Sequence, residues 1–294
     1  MAAPTLAPDT APDAALRQIV ADCRGDLLKY RAITLQSRRS IGIHQTRVAL
    51  RRLRAAFNVF REAAASEVGR RELKALSAEA RWLAAECAPA RDLHVFLTET
   101  AKDAPPVIAR VARRLAKTHL ERARSALSGA RFTMLDAALQ AFAEQAPAED
   151  GGRLDDFARG SLEARADKVD KRAHKLHGLD GKRLHELRIA IKKLRYTAVF
   201  LAPAVARSPF DSRAAKAYIE ATVRLQGALG TLNDRAVAGQ MMADIAVAAR
   251  PTEDVAKPLR KLAKQTASGE KRRRRKLERV WREFGKTGRF WHGG

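Results

Sequence analysis

Two stretches of this 294-residue chain carry nearly the same order of cationic and aliphatic residues. Residues 44–54 read His-Gln-Thr-Arg-Val-Ala-Leu-Arg-Arg-Leu-Arg, and residues 185–196 read His-Glu-Leu-Arg-Ile-Ala-Ile-Lys-Lys-Leu-Arg-Tyr. The histidines that open them, His44 and His185, lie 141 residues apart (185 − 44). A repeat of this kind predicts two helices that occupy corresponding places in the two halves of the structure.

At about 100° per residue, each stretch forms a helix with one cationic face and one apolar face. The cationic face of the first helix carries His44, Arg47, Arg51 and Arg54. The apolar face opposite carries Leu50, Leu53, Phe57 and Phe60. In the second helix the cationic residues are His185, Arg188, Lys192 and Arg195. The residues opposite them are Leu187, Ile191, Leu194 and Leu201.

A run of cations is usually a solvated face, but solvated faces mix both signs of charge. Unopposed cations three and four residues apart repel each other. Because this unfavourable repulsion recurs at matching places in both halves, the pattern favours an anionic ligand that offsets it. The whole chain agrees, since 57 Lys and Arg against 33 Asp and Glu give a net charge of +24. Such an excess predicts a polyanionic partner: nucleic acid, a membrane surface or a phosphate polymer.

Composition and periodicity predict an all-α fold, because alanine and leucine dominate and no stretch alternates with the period of a strand. We expect a disordered tail over residues 1–13 and one domain over residues 14–294. This domain divides into two repeated helical bundles, 14–146 and 153–294, joined by a linker at 147–152. A pseudo-two-fold arrangement of the halves is natural, and one such arrangement sets the two cationic faces across a groove or pore.

Prolines and acidic residues predict several helix ends. In the first half, the basic helix runs over about 43–65, and the next helix runs over 70–87 and is ended by Pro89. Asp92 is expected to cap a further helix over 93–102 or to hold a nearby arginine.

In the second half, Pro203 is expected to stop the basic helix after about residue 201. A helix over 212–229 follows, and Asn233 and Asp234 open the next one, with Asp234 in the role expected of Asp92.

With the two basic motifs and the acidic residues that follow them, the chain resembles the CHAD family, the conserved histidine α-helical domain. The doublet of HxxRxxxRRLR and HxxRxxxKKLRY motifs is quite specific, and the resemblance extends from about residue 14 to residues 288–291. It is supported by Arg91-Asp92, Leu225-Gln226-Gly227, Leu229-Gly230 and Asn233-Asp234. Residues 87–90 depart from the Leu-Gly that often precedes Arg-Asp in the family. Many relatives carry a triphosphate tunnel domain in front, and we expect this chain to be a CHAD domain without one.

The resemblance implies two antiparallel bundles of about four helices each, related by a pseudo-two-fold axis around a basic central cavity. It also implies binding of inorganic polyphosphate and association with polyphosphate granules and their proteins. Carried over by position, the implied phosphate contacts are His44, Arg47, Arg51, Arg52, Arg54, His185, Arg188, Lys192, Lys193, Arg195 and Tyr196.

The residues alone leave three further functions to weigh. A nucleic-acid-binding protein would use the same charge, but stacking on bases needs aromatic residues, and the cationic faces offer one candidate, Tyr196. An enzyme acting on phosphate chains needs metal-holding carboxylates or an activated nucleophile, and the basic helices contain only Glu186. Chelation of a metal by histidines is disfavoured by the surrounding cations. We therefore expect a non-catalytic protein without metal or cofactor, and the alternative is nucleic-acid binding.

Four smaller features have two interpretations each. His44 and His185 either contact phosphate or support their helices, and Tyr196 either donates to phosphate or packs. His174 and His177 are spaced for a metal, but they are interpreted as surface residues. The segment 271–276 reads as a nucleic-acid tail in isolation. Apolar residues follow it at helical spacing and predict a folded helix that supplements the charge.

The chain is expected to be cytoplasmic. Residues 1–13 lack the basic and apolar regions of a signal peptide, and no window approaches the roughly 18 apolar residues of a membrane span. The two cysteines, Cys23 and Cys87, fit neither a disulfide framework nor a metal site, which favours a reducing compartment.

Overall fold

The computed structural model describes residues 6–37, 40–63, 67–146 and 152–292, and within its helices it leaves out the side chains of residues 67, 233–236 and 267. The described ranges contain ten α-helices and no strand, which confirms the all-α prediction. The helices are α1 (Pro12–Gln36), α2 (Ser40–Val59), α3 (Glu67–Val95), α4 (Pro106–Ser128), α5 (Ala130–Glu144), α6 (Leu154–Ala173), α7 (Gly181–Val205), α8 (Pro209–Ala248), α9 (Ala256–Ala267) and α10 (Glu270–Gly285). A π-helical turn, Phe96–Thr100, follows α3.

The two basic motifs form α2 and α7, and each is packed between two neighbours in the same order. Helix α2 contacts α1 and α3, and α7 contacts α6 and α8. Helix α5 lies against α1, and α10 lies against α8. Helices α2 and α7 also contact each other directly, so the two basic motifs meet inside the molecule.

The apolar faces predicted from the helical period are buried. Leu50, Leu53, Phe57 and Phe60 of the first motif are at most 3 % exposed, and Leu187, Ile191, Leu194 and Leu201 of the second are fully buried. They belong to one continuous core that contains residues of both halves. Burying this apolar surface drives the packing of the helices.

A second, smaller core lies where the end of α3 and the start of α4 meet the end of α8 and α9. Its buried residues include Phe96 and Ile108 from the first half and Ile245 and Leu259 from the second. At its edge the guanidinium of Arg114 donates to the carboxylate of Glu253 at 2.9 Å.

Three predicted helix ends are wrong, because the helices continue through them. Helix α3 passes through Pro89 and α7 passes through Pro203. Helix α8 is a single helix of 40 residues where two were expected. A proline costs a backbone hydrogen bond and strains the turn before it. Buried residues flank both prolines, including Cys87 and Leu201, so we attribute the continuation to core packing.

The segment before α1 departs from the expected disordered tail. Leu6 is 2 % exposed, and the carbonyls of Pro8 and Thr10 accept hydrogen bonds from the backbone N–H groups of Asp155 and Leu154, at 3.1 and 2.9 Å. These amides open α6, and the first amides of a helix have no partner within it. The segment therefore caps α6. Residues 1–5, and residues 147–151 of the expected linker, lie outside the described part of the chain.

The C-terminal basic segment is part of a folded helix, as predicted. Leu277, Val280 and Phe284 of α10 are buried, and Trp281 packs against the core. Across the described residues, none of the helices has the apolar length that crossing a bilayer requires.

Candidate functional site: a cationic cavity

A cavity of about 480 Å³ lies beside the cationic face of α2. Its charged and titratable lining residues come from three helices: His44, Arg47, Arg51 and Arg54 of α2, Arg81, Arg91 and Asp92 of α3, and Lys192 of α7. Six of these side chains are arginine or lysine, and among the described residues that line the cavity the only carboxylate is Asp92. The described lining of the cavity is therefore predominantly cationic.

Helix α3 supplies two cations that the sequence prediction missed. Arg81 and Arg91 line the cavity, and the small residues Ala84, Ala85 and Ala88 leave room between them. These residues recur three, four and seven positions apart, which places them on one face of a continuous helix. The spacing was readable in the sequence, but ending the helix at Pro89 hid it.

The cationic face of α7 converges on that of α2 around Lys192. Burial, followed by the positive charges of Arg51, Arg54, Arg188 and Arg195, lowers the pKa of Lys192 to about 8. Two of these arginines belong to each motif. Arginines from two motifs that lie 141 positions apart in the sequence therefore act electrostatically on the same ammonium group.

Two arginines of α7 each have one unsatisfied hydrogen-bond donor. The Nε atoms of Arg188 and Arg195 are buried and have no hydrogen-bond partner. A buried donor without a partner costs stability, and an anionic ligand is one means of satisfying it. Burial also lowers the pKa of Arg195; the adjacent Tyr196 opposes this shift, and Arg51 adds to it.

Asp92 lies inside α3, so its interpretation as a helix cap is wrong. Its carboxylate instead pairs with the guanidinium of Arg47 at 3.4 Å, which confirms the alternative that it holds a nearby arginine. Burial raises the pKa of Asp92, against the opposing influence of Arg47 and Arg91. The side chain of Asp234, for which the same role was predicted, lies outside the described side chains.

The two motif histidines occupy different surroundings. His44 is half-buried in the cavity wall, and its pKa is lowered by burial first and then by Arg91, Arg51, Arg47 and His94. A lowered pKa favours the neutral imidazole, which presents one N–H donor rather than a charge. His185 is exposed near the start of α7, and it does not line the cavity.

Arg52 and Lys193 are adjacent to cavity residues in sequence, but both lie outside the lining. Arg52 is buried, and its Nη1 donates to Oδ2 of Asp26 in α1 at 3.0 Å. The pKa of Lys193 is lowered by burial and then by Arg165, Lys168, Arg172 and Arg61, which places it on the side of α7 that faces α6. A step of one residue turns a side chain by about 100°, which is enough to carry both away from the cavity.

Tyr196 packs. It is 5 % exposed, its ring stacks on Phe200 with centroids 6.0 Å apart, and the guanidinium of Arg195 lies 4.6 Å from its ring centroid. These contacts favour the packing interpretation over phosphate contact.

Other candidate groups lie away from the cavity. In α10, Arg273 and Arg274 donate to the backbone carbonyls of Thr266 and Leu179. Within the described ranges, no three His, Cys, Asp or Glu residues are grouped closely enough to hold a metal ion.

Three comparisons place the chain among known proteins. The family model described as CHAD domain matches residues 18–243. The crystal structure of the CHAD domain from the plant Ricinus communis is similar, with a TM-score of 0.82 and 24% identity over 97% of this chain and 96% of that chain. PptA from Streptomyces chartreusis gives a TM-score of 0.60 and 18% identity over 93% and 100% of the two chains. No curated protein matches. At these identities the two structures show a shared fold alone.

Proposed function

This chain belongs to the CHAD family, and from that premise we propose that it binds inorganic polyphosphate in the cationic cavity between α2, α3 and α7. The observation that carries the proposal is one cavity lined by His44, Arg47, Arg51 and Arg54 of the first motif and by Lys192 of the second. Its six arginine and lysine side chains face a single carboxylate that is already paired with Arg47. Arginine suits such a ligand, because its planar fork binds two phosphate oxygens at once.

The proposal has an architectural part. We take α1–α5 and α6–α10 as two repeats of one bundle plan, related by a pseudo-two-fold axis that passes between α2 and α7. The matching neighbours of these two helices and their direct contact support this arrangement. It accounts for the spacing of the motifs, because a repeat across such an axis sets two cationic faces on one ligand.

Charge repulsion explains why a polymer suits the cavity. The lowered pKa of Lys192 reflects burial first and then the cations held close to it. A polyanion offsets this repulsion at several points along its length and releases the counterions that it carried. Affinity therefore rises with chain length and falls steeply with salt.

We further propose that binding occurs without turnover. Phosphoryl transfer is normally assisted by metal ions held on carboxylates, and the cavity carboxylate Asp92 is engaged by Arg47. The same proposal places the protein in the cytoplasm, at polyphosphate granules and among their proteins. Nucleic acid is the alternative ligand, and it is an outcome of the test.

The test is competition binding with labelled long-chain polyphosphate. The variant Arg51→Glu/Lys192→Glu puts two acids into the cavity wall, and we expect it to weaken binding at low salt by about 100-fold. The control is Arg275→Glu/Lys276→Glu, which makes the same change in net charge at exposed positions of α10. We expect the control to bind within about threefold of the wild type.

Three results would redirect the proposal. Equal losses in both variants would mean that net charge, rather than the cavity, determines affinity. Loss in the α10 variant alone would move the site to the C-terminal helix. Stronger competition by DNA than by polyphosphate at matched charge would replace the ligand. In every case circular dichroism checks that the variant is folded.

A further inference from the structure

Lys192 differs in chemistry from the other cations around it. Among the described residues that line the cavity it is the only lysine, and its basic neighbours there are arginines and His44. A guanidinium keeps its proton and does not act as a nucleophile, whereas a lysine amine reacts once it is neutral. The side chain is half-buried and lines the cavity.

The environment of Lys192 is one that activates lysine nucleophiles. Desolvation and adjacent cations are the two standard means of keeping a lysine amine neutral near physiological pH. Both act here, since burial and four arginines lower the pKa of Lys192 to about 8. At pH 7.5 a much larger fraction of these amines is therefore neutral than of an ordinary lysine, whose pKa is about 10.4.

The same arginines are also suited to bring a reagent to the amine. Arg51 and Arg54 of α2 line the cavity together with Lys192, and guanidinium groups bind phosphate. Arg188 and Arg195 of α7 act on the same ammonium group from outside the lining. A small molecule that joins a phosphate to an electrophilic carbonyl would be held by its phosphate, with the carbonyl carbon near Nζ.

We propose that Lys192 is a modification site, acylated at Nζ by small acyl phosphates that the cavity recruits through their phosphate group. The inference rests on the proposed affinity of the cavity for phosphate. The neutral amine attacks the carbonyl carbon and forms a C–N bond. The C–O bond to phosphate breaks, and its electron pair leaves with the phosphate. The attacking nitrogen releases one proton to solvent.

Acylation changes what the cavity can bind. The product is a neutral amide, so the modification removes one positive charge from the point where the two motifs meet. We expect polyphosphate affinity to fall several-fold, because the polymer loses its contact with Lys192 but keeps its contacts with the neighbouring arginines. Bound polymer therefore protects Lys192 from acylation, and acylation weakens polymer binding.

Two other lysines serve as internal references. Lys193 has a lowered pKa but lies outside the cavity lining, on the side facing α6. Lys276 is exposed on α10. Comparing the three residues in one protein separates recruitment by the cavity from the general reactivity of amines.

The experiment incubates the full chain with acetyl phosphate at pH 7.5 and follows the acetylation of each lysine by peptide mass spectrometry. We expect Lys192 to react about tenfold faster than Lys276. Orthophosphate is expected to slow Lys192 and leave Lys276 unchanged. Arg51→Gln, at an exposed position, is expected to slow Lys192 several-fold, whereas Arg275→Gln on α10 leaves its rate unchanged.

Equal rates at Lys192 and Lys276, or no slowing by orthophosphate, would overturn the proposal. Long-chain polyphosphate as competitor separates this inference from the proposed function. If orthophosphate protects Lys192 and polyphosphate does not, acylation stands and polymer binding in the cavity falls. If polyphosphate protects Lys192 from acetic anhydride while acetyl phosphate shows no preference for it, polymer binding stands and acylation falls.

Discussion

Arg52 and Lys193 occupy corresponding positions in the two motifs, 141 residues apart (193 − 52), yet the charges around them are opposite. Arg52 is buried against α1, where its guanidinium pairs with Asp26 at 3.0 Å. Lys193 faces α6, where burial first, and then arginines and a lysine, lower its pKa. One position stabilises the fold through an ion pair, and the other is held near like charges.

The difference comes from the neighbouring helices and not from the motifs. Helix α1 presents Asp22 and Asp26 near Arg52, whereas α6 presents Arg165, Lys168 and Arg172 near Lys193. A repeated motif therefore fixes which way a side chain points, and the helix packed on that side decides what the side chain does.

The largest expected effect is on stability in the first half. We expect Arg52→Ala to lower the free energy of unfolding by about 3 kcal/mol, because it removes a buried side chain and leaves the half-buried carboxylate of Asp26 without this partner. Lys193→Ala should cost less than about 1 kcal/mol. Urea denaturation of both variants measures the difference.

Restoring neutrality near Asp26 sharpens this test. Adding Asp26→Asn to the Arg52→Ala variant removes the unpaired charge, and it should recover about 1 kcal/mol of the loss. Equal costs for Arg52→Ala and Lys193→Ala would contradict the contrast between the two positions.

The next effect concerns Arg51 and Lys192, a second corresponding pair. The folded-state pKa of Lys192 is about 8, below its ordinary value of 10.5. Between these values the unfolded chain binds more protons, so stability contributed at this site rises with pH. We expect the wild type to gain about 1 kcal/mol over Lys192→Met between pH 7 and 10, after allowing for solvent screening.

Arg51→Met is the matched control, because an arginine keeps its proton over this range. The measurement is the free energy of unfolding of each variant as a function of pH. A constant difference between the wild type and Lys192→Met would mean that neither burial nor the neighbouring cations lower the pKa of Lys192 in the folded protein.

The smallest expected effect is a gain in the second half. Lys193→Glu places an acid among Arg61, Arg165, Lys168 and Arg172, and we expect it to raise the free energy of unfolding by about 0.5 kcal/mol at low salt. The gain should shrink in high salt, and Lys193→Gln should give about half of it. A loss of stability in Lys193→Glu would show that the ammonium group has a structural partner.

Helical period was sufficient to predict the faces of the two motifs. It correctly predicted that Leu50 and Leu194 are buried, because an apolar stripe repeated over several turns leaves a helix few ways to pack. It placed Arg51 and Lys192 together only through the assumed two-fold arrangement, since a pattern within one helix contains no information about its partner.

The missed features depended on tertiary packing. Pro89 was expected to end a helix, and that local rule concealed the face of α3 on which Arg81 and Arg91 reach the cavity. Asp92 was assigned to a cap for the same reason. The role of Arg52 depended on Asp26, an acid on a different helix that no spacing within the motif reveals.

The smaller core has a consequence for the order in which the chain folds during synthesis. Its first-half residues, among them Phe96 and Ile108, are covered by residues of α8 and α9. Arg114 likewise meets Glu253, which lies 139 residues later in the chain. At ordinary rates of translation that interval lasts on the order of ten seconds. For that time a ribosome-bound first half lacks the helices that complete this core in the folded protein, and we expect chaperones to bind the apolar surface there.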